Sequence, residues 1–265
     1  MLFLYLFIFI QVLLEIFPAS SSGHCLLLEQ WYSFLYHYQD LHTLLPGGKE
    51  LFSAFLHGPT LILLALFFLK QWSVLLLHML RCRFIIAKII FYVMISTIIA
   101  LFFYFVVHIQ DYPLPLGIGF LITAIAAFSL RWCKEGTQSF TFFSALVLGV
   151  VQSIALLPGI SRLGMTYAVA RWLGISSRRA FEISFLIQTP LIGAAFGRST
   201  YIFIKYNLLT QVLNLPILLV MLSATGAAWY GLKITAYSAT HRLWWYFAVY
   251  MSIPLSAWLI VMYLK

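Results

Sequence analysis

The sequence predicts an all-α fold: a polytopic membrane helical bundle of about six spanning helices with two re-entrant helical hairpins. Three observations carry this expectation. The 265 residues are 63% hydrophobic and 9% charged, with mean hydropathy +0.98. Soluble domains carry about 25% charged residues, so the solvent for most of this surface is lipid. Six continuous apolar stretches each approach the ~20 residues that cross a bilayer. Two further apolar stretches are interrupted by a polar turn.

The six full spans are roughly 52–69, 84–107, 113–130, 181–197, 210–232 and 243–264. Their apolar runs do not alternate, which excludes a barrel and leaves helices as the way to satisfy the backbone in lipid. Residues 2–17 run into Pro18-Ala19-Ser20-Ser21-Ser22-Gly23-His24 and turn apolar again. Residues 139–157 run into Pro158-Gly159-Ile160-Ser161-Arg162 and continue to Gly174. Neither arm pair makes two comfortable spans, so both read as re-entrant hairpins whose irregular backbone lines a cavity. Residues 2–17 lack a basic leader and contain Gln11 and Glu15, so they read as part of the mature protein and not as a signal peptide.

Pro18-x-x-Ser21 matches Pro158-x-x-Ser161, and Gln11 lies near the place taken by Gln152. The chain therefore reads as a single transmembrane domain, 1–265, with repeat halves of roughly 1–130 and 131–265. If the first hairpin enters from outside and the second from inside, the inner side holds Lys70, Arg81, Arg83, Arg131, Lys134, Arg171, Arg178, Arg179, Lys233 and Arg242. The outer side holds Lys49, Arg198, Lys205 and Lys265. That bias follows the positive-inside rule, and opposite entry of similar hairpins is the pattern of an inverted-topology repeat with its site near the midplane. Both termini then lie outside. The net charge of +9 is explained by the same rule, and nucleic acid is not an expected partner. Cys25, Cys82 and Cys133 have no metal-ligand spacing and read as packing residues.

Charged side chains at bilayer depth cost about 2.5–3.5 kcal/mol even on the lenient insertion scale, which singles out Glu15 and Arg162, with His24 beside them. Gln11 and Glu15 are four apart and share a helix face. They suit a hard divalent cation bridged to phosphate, or else hydrogen bonding across helices. Ser20, Ser21 and Ser22 offer hydroxyls, and Ser21 with His24 three residues on reads as a nucleophile and base. Pro158-Gly159-Ile160-Ser161-Arg162 pairs a helix N-terminus with a guanidinium fork, a phosphate-binding combination; the bland alternative is an Arg162–Glu15 bridge. Lys88 can snorkel to the surface. Trp244, Trp245 and Tyr246 read as interfacial anchors. His57 either faces the cavity or packs.

At these residues the sequence resembles the undecaprenyl-diphosphate phosphatase family of the bacitracin-resistance type. The family's (Glu/Gln)-x-x-x-Glu motif reads Gln11-x-x-x-Glu15 here, followed by the Pro18–His24 turn. Its second motif, Pro-Gly-x-Ser-Arg-Ser-Gly, reads Pro158-Gly159-Ile160-Ser161-Arg162-Leu163-Gly164, and Phe181-Glu182-Ile183-Ser184-Phe185-Leu186 is similar to the stretch that follows it. Leu163 stands where the family has Ser, Gln11 leaves Glu15 the sole carboxylate of its motif, and Tyr250-Met251 stands where a Tyr-Arg pair is expected.

The resemblance implies hydrolysis of undecaprenyl diphosphate to the monophosphate in a bacterial inner membrane, recycling the lipid carrier for cell-wall polymers, with the head group processed on the outer side. It implies catalytic roles for Glu15, Ser21, His24 and Arg162, substrate binding by Gln11, Ser20, Ser22, Gly159, Ser161 and Arg162, and Mg²⁺ or Ca²⁺ on Glu15 and Gln11. Either Ser21 or a water attacks. The prenyl chain and membrane lipids are the expected partners, in an apolar cleft between spans, and a homodimer is among the states allowed.

A lipid or anion transporter is the main rival, since inverted repeats with broken helices recur there. The other large lipid-phosphatase family needs a histidine six residues after its Arg, where this chain has Ala168. A structural subunit leaves Glu15 and Arg162 unexplained.

Overall fold

The computed structural model describes residues 1–36, 45–70, 73, 83–108 and 114–264. Arg81, Cys82, Lys265 and the start of the span at 113 lie outside the described residues, as does the side chain of Arg83. Among the described residues the regular elements are helices, with one isolated bridge between Gln138 and Ile175. The first hairpin is α1 (Leu2–Leu14) and α2 (Ser21–Tyr36). It is followed by α3 (Lys49–Phe55), α4 (His57–Phe67), α5 (Arg83–His108) and α6 (Leu116–Ser129). The second hairpin is α7 (Phe142–Ile154) and α8 (Arg162–Trp172). Then come α9 (Ser177–Lys205), a short α10 (Leu209–Val212), α11 (Leu215–Thr240) and α12 (Tyr246–Leu264).

The helices differ in length. Among the described residues, four stretches are long and apolar enough to cross a bilayer: Lys49–Phe67, Ser177–Lys205, Leu215–Thr240 and Tyr246–Leu264. Ala87–Phe103 and Leu116–Trp132, where two further spans are expected, are shorter apolar helical segments. The hairpin arms are shorter. At 1.5 Å per residue, the 13 residues of α1 or α7 reach about 20 Å against a core of about 30 Å. Large apolar side chains face outward on the long helices, among them Ile62, Phe102, Leu222 and Ile253. Water does not tolerate so broad an apolar girdle, and lipid does.

Helix contacts pair across the halves. α1 packs on α11 as α7 packs on α5, and α2 packs on α12 as α8 packs on α6. The arms of each hairpin also pack on each other. The hairpin turns share one capping device. Ser20 Oγ accepts the Gly23 N–H at 3.3 Å, and Ser161 Oγ accepts the Gly164 N–H at 3.1 Å. The residue matching Ser161 is therefore Ser20 and not Ser21, and Gln11 and Gln152 then each stand nine positions before their cap. Both glutamines are buried.

Two expectations change. Trp244 is not an interfacial anchor: it is 1% exposed, lies 3.7 Å ring to ring from Tyr167, and donates its indole N–H to the Thr235 carbonyl. Arg171 is more than a loop cation. It is buried and clamps the Ile175 and Lys134 carbonyls at 2.6 and 2.7 Å, with Glu135 at 3.2 Å. A guanidinium fork ties several acceptors at once, so this one fixes the end of α8 to the 133–141 loop.

Candidate functional site

The two hairpin turns meet because glycines let three backbones touch. A Cβ at Gly23 would stand 2.8 Å from the Gly159 Cα, and one at Gly119 would strike the Pro158 carbonyl. Gly159 has φ +83, and its own Cβ would lie 2.6 Å from the Leu116 carbonyl. Thr123 on α6 fastens the junction. Its hydroxyl donates to the Gly159 carbonyl at 3.0 Å and accepts the Ser161 N–H at 2.9 Å. Gly159 thus serves as a pivot between helices and does not line the cavity, a correction to its assignment as a substrate contact.

Above this junction lies a cavity of about 90 Å³, lined by residues of both hairpins: Gln11, Glu15, Ser20, Ser21, Ser22, Ser161, Arg162 and Leu163. Its size suits a head group and not a long hydrocarbon chain. Ser53 and His57, flanking the α3–α4 break, and Gln188 on α9 complete the polar wall. The turn thereby gathers nearly every residue expected from the sequence. Leu163 is buried and presents only carbon to this space.

The Ser21 hydroxyl donates to Glu15 Oε2 at 2.6 Å. Glu15 Oε1 is 3.7 Å from His57 Nδ1. The expected Ser21–His24 pair does not form. Ser21 opens α2 while the 15–20 turn folds Glu15 back over it, so the carboxylate reaches the hydroxyl first. His24 lies against Phe120 and Tyr250 and is not part of the cavity wall. Gln11 Oε1 accepts a weak bond from Cys25 Sγ at 3.4 Å.

Arg162 opens α8 at the cavity. Among the described residues it makes no ion pair with Glu15, and its buried Nε has no hydrogen-bond partner. Two more buried nitrogens in the same wall share that condition, His57 Nδ1 and Gln188 Nε2. Buried polar groups without partners are rare, and three that can donate into one cavity make it suited to an anion. Helix geometry adds to this. Apart from the capped N–H groups of Gly23 and Gly164, the first-turn N–H groups of α2 and α8 have no intrahelical acceptors, and both helix dipoles present their positive ends here.

His57 and Gln188 were not singled out together from the sequence, although a signal exists. Ser53-x-x-x-His57-x-Pro59 recurs as Ser184-x-x-x-Gln188-x-Pro190. Pro59 denies Phe55 its helical partner, and α3 gives way at Leu56 to α4, which opens with His57 at the wall.

Residues 5–255 match the family model described as bacitracin resistance protein BacA. The chain belongs to the BacA family. A relative from Pelotomaculum thermopropionicum, named undecaprenyl-diphosphatase, is 33% identical over 196 residues, which is 70% of each chain. One of the same name from Treponema denticola is 30% identical over 262 residues, 93% of this chain and 91% of the relative. Another, from Borrelia recurrentis, is 30% identical over 217 residues, 75% and 74% of the two chains. The matched region of this BacA-family chain covers the first hairpin from residue 5 onward, all of the second, and every residue of the cavity wall.

Proposed function

We propose that this chain is a membrane phosphatase that hydrolyses undecaprenyl diphosphate to undecaprenyl phosphate and inorganic phosphate. The observation that carries the reading is the meeting, in one cavity, of a Ser21–Glu15 hydrogen bond with Arg162, whose buried Nε has no hydrogen-bond partner. The family and the relatives' name agree with it.

The geometry supports an ordered set of roles. Arg162, Gln188, His57 and the uncapped first-turn N–H groups of α2 and α8 bind the diphosphate oxygens and stabilise charge as it builds in the transition state. Ser21 Oγ attacks the terminal phosphorus and its proton passes to Glu15 Oε2. The bond from that phosphorus to the bridging oxygen breaks, and undecaprenyl phosphate leaves. Water then attacks the phosphoserine, Glu15 returns its proton to Ser21 Oγ, and the water's proton departs on inorganic phosphate. Ser161 and Ser20 hold the two turns by capping their helices, and Ser22, exposed at the mouth, contacts the incoming head group.

The donor set fits a divalent cation of the Mg²⁺ type. Among the described residues there is no cluster of three or more His, Cys, Asp or Glu, so no all-protein cage exists. Mg²⁺ commonly takes one or two carboxylates and completes its shell with substrate phosphates and water. Glu15 Oε1 and Gln11 Oε1 would hold it, and when bound it supplies charge neutralisation to the diphosphate. Ca²⁺ is served by the same oxygens.

The prenyl chain lies along the apolar helix faces, the cavity opens on the outer side of a bacterial inner membrane, and both termini lie on that side. The charge asymmetry of the loops supports this placement. Turnover by purified protein tests the function. Phosphate release from undecaprenyl diphosphate is expected with Mg²⁺ or Ca²⁺ and is expected to fall with chelator. No release from folded protein under any cation contradicts the reading and favours transport.

A further inference from the structure

His24 is not part of the cavity wall that Ser21 lines, and its contacts assign it different work. Its Nδ1 lies 2.9 Å from the Ser20 carbonyl oxygen. A carbonyl only accepts, so Nδ1 carries the hydrogen, and Nε2 of the neutral ring is left as an acceptor. The Tyr250 hydroxyl, 3.0 Å away, therefore donates to Nε2. The two rings stack at 5.7 Å with their planes 15° apart, and Phe120 meets the imidazole edge-on at 5.3 Å. Tyr250 belongs to α12, the last helix of the chain, so this contact ties the first hairpin to the far end of the sequence.

The receiving end is Ser20. It is a non-glycine residue at φ 50, a conformation that persists only where surrounding contacts hold it. Its carbonyl accepts both the His24 backbone N–H, at 3.1 Å, and the His24 ring. Its hydroxyl caps the Gly23 N–H. The next residue is Ser21, whose hydroxyl lies against Glu15. A change in the Ser20 backbone swings Ser21.

We infer that Tyr250 is a positioning residue: by fixing the tautomer and orientation of His24 it holds Ser20 in its left-handed conformation, and so aims Ser21 Oγ at Glu15 and the cavity. His24 is the middle of this brace and does not receive the Ser21 proton. The inference rests on the phosphatase reading for its kinetic consequences and on the hydrogen-bond geometry for its structural ones.

The test compares wild type, Tyr250→Phe, His24→Asn and His24→Ala, each purified whole and matched for thermal stability, by undecaprenyl-diphosphate turnover and by NMR of histidine-¹⁵N-labelled protein. In wild type, His24 is expected as the neutral Nδ1–H tautomer, with its Nε2 resonance moving in Tyr250→Phe. Tyr250→Phe is expected to lower kcat about tenfold while KM stays within about twofold, the mark of misaligned reacting groups with substrate binding intact. His24→Asn keeps an N–H donor for the Ser20 carbonyl and is expected to retain about ten times the activity of His24→Ala. An Nε2–H tautomer, wild-type kcat in Tyr250→Phe, or equal losses in the Asn and Ala variants overturns the inference, the last by making His24 a proton acceptor. A wild type without turnover overturns the phosphatase reading instead, and the tautomer still decides the brace.

Discussion

Gln188 places a buried amide nitrogen in the cavity wall with no acceptor of its own. If that nitrogen binds a diphosphate oxygen, Gln188→Leu removes one hydrogen bond to a charged group, worth about 1.5–3 kcal/mol. Substrate affinity is then expected to fall between about tenfold and a hundredfold, read as KM or as equilibrium binding. Glu135, at the other pole of the second hairpin, yields a pH dependence. Burial acts to raise its pKa, but hydrogen bonds from the Ser177 hydroxyl and N–H, with the charges of Arg171 and Arg242, outweigh burial and hold it below the ordinary value. A carboxyl depressed on folding adds stability above its unfolded pKa and loses it as pH falls through the folded one. Thermal stability in detergent is therefore expected to decline on acidification below about pH 4.5, the ordinary carboxyl value, with a shallower decline in Glu135→Gln. Identical acid profiles for the two proteins would contradict this role.

At the scale of elements, the hairpin turns are held by close backbone contact, and Gly159 lies at its centre. It combines φ +83 with no room for a methyl group. Gly159→Ala is expected to cost about 1–3 kcal/mol from backbone strain alone, with further loss from collision, and to lower both the melting temperature and turnover. A variant as stable and active as wild type would show that the turn is looser than described. Both hairpins were legible in the sequence, because a proline, a serine cap and a glycine interrupt an apolar run too short to cross twice. The pairing inside the turn was not. Spacing alone set Ser21 beside His24, while the fold-back at residues 15–20 sets it against Glu15. Proximity across a non-helical turn has no period to read. Gly159 was legible as a special residue but not as a pivot, since its partner glycines come from α2 and α6.

Taken whole, the molecule is a lipid-facing bundle whose long helices surround two short hairpins. The spans were legible because lipid imposes one simple requirement, a run of apolar residues long enough to cross. Residues that bridge distant segments were harder. Trp244 has the composition of an interfacial anchor, yet it packs in the core against Tyr167, and Arg171 looks like a topology marker while clamping two carbonyls. His57 and Gln188 carry a repeated signal, Ser-x-x-x-(His/Gln)-x-Pro, that becomes meaningful once both face one cavity. The charge asymmetry of the loops predicts a topology with both termini outside. Membrane-impermeant thiol labelling of cysteines introduced at either end, in intact cells, is expected to modify both; protection of either end would contradict that orientation.

The central claim is that phosphoryl transfer takes place where the two hairpins meet. The most direct measurement is the rate of phosphate release from undecaprenyl diphosphate by wild type, Glu15→Gln and Arg162→Ala, each purified in the same detergent and shown to be folded. Glu15→Gln removes the acceptor for the Ser21 proton and Arg162→Ala removes the guanidinium. Each is expected to lower kcat/KM by about a hundredfold or more, as loss of a transition-state contact does. Wild-type rates in either folded variant would place the chemistry elsewhere and contradict the account.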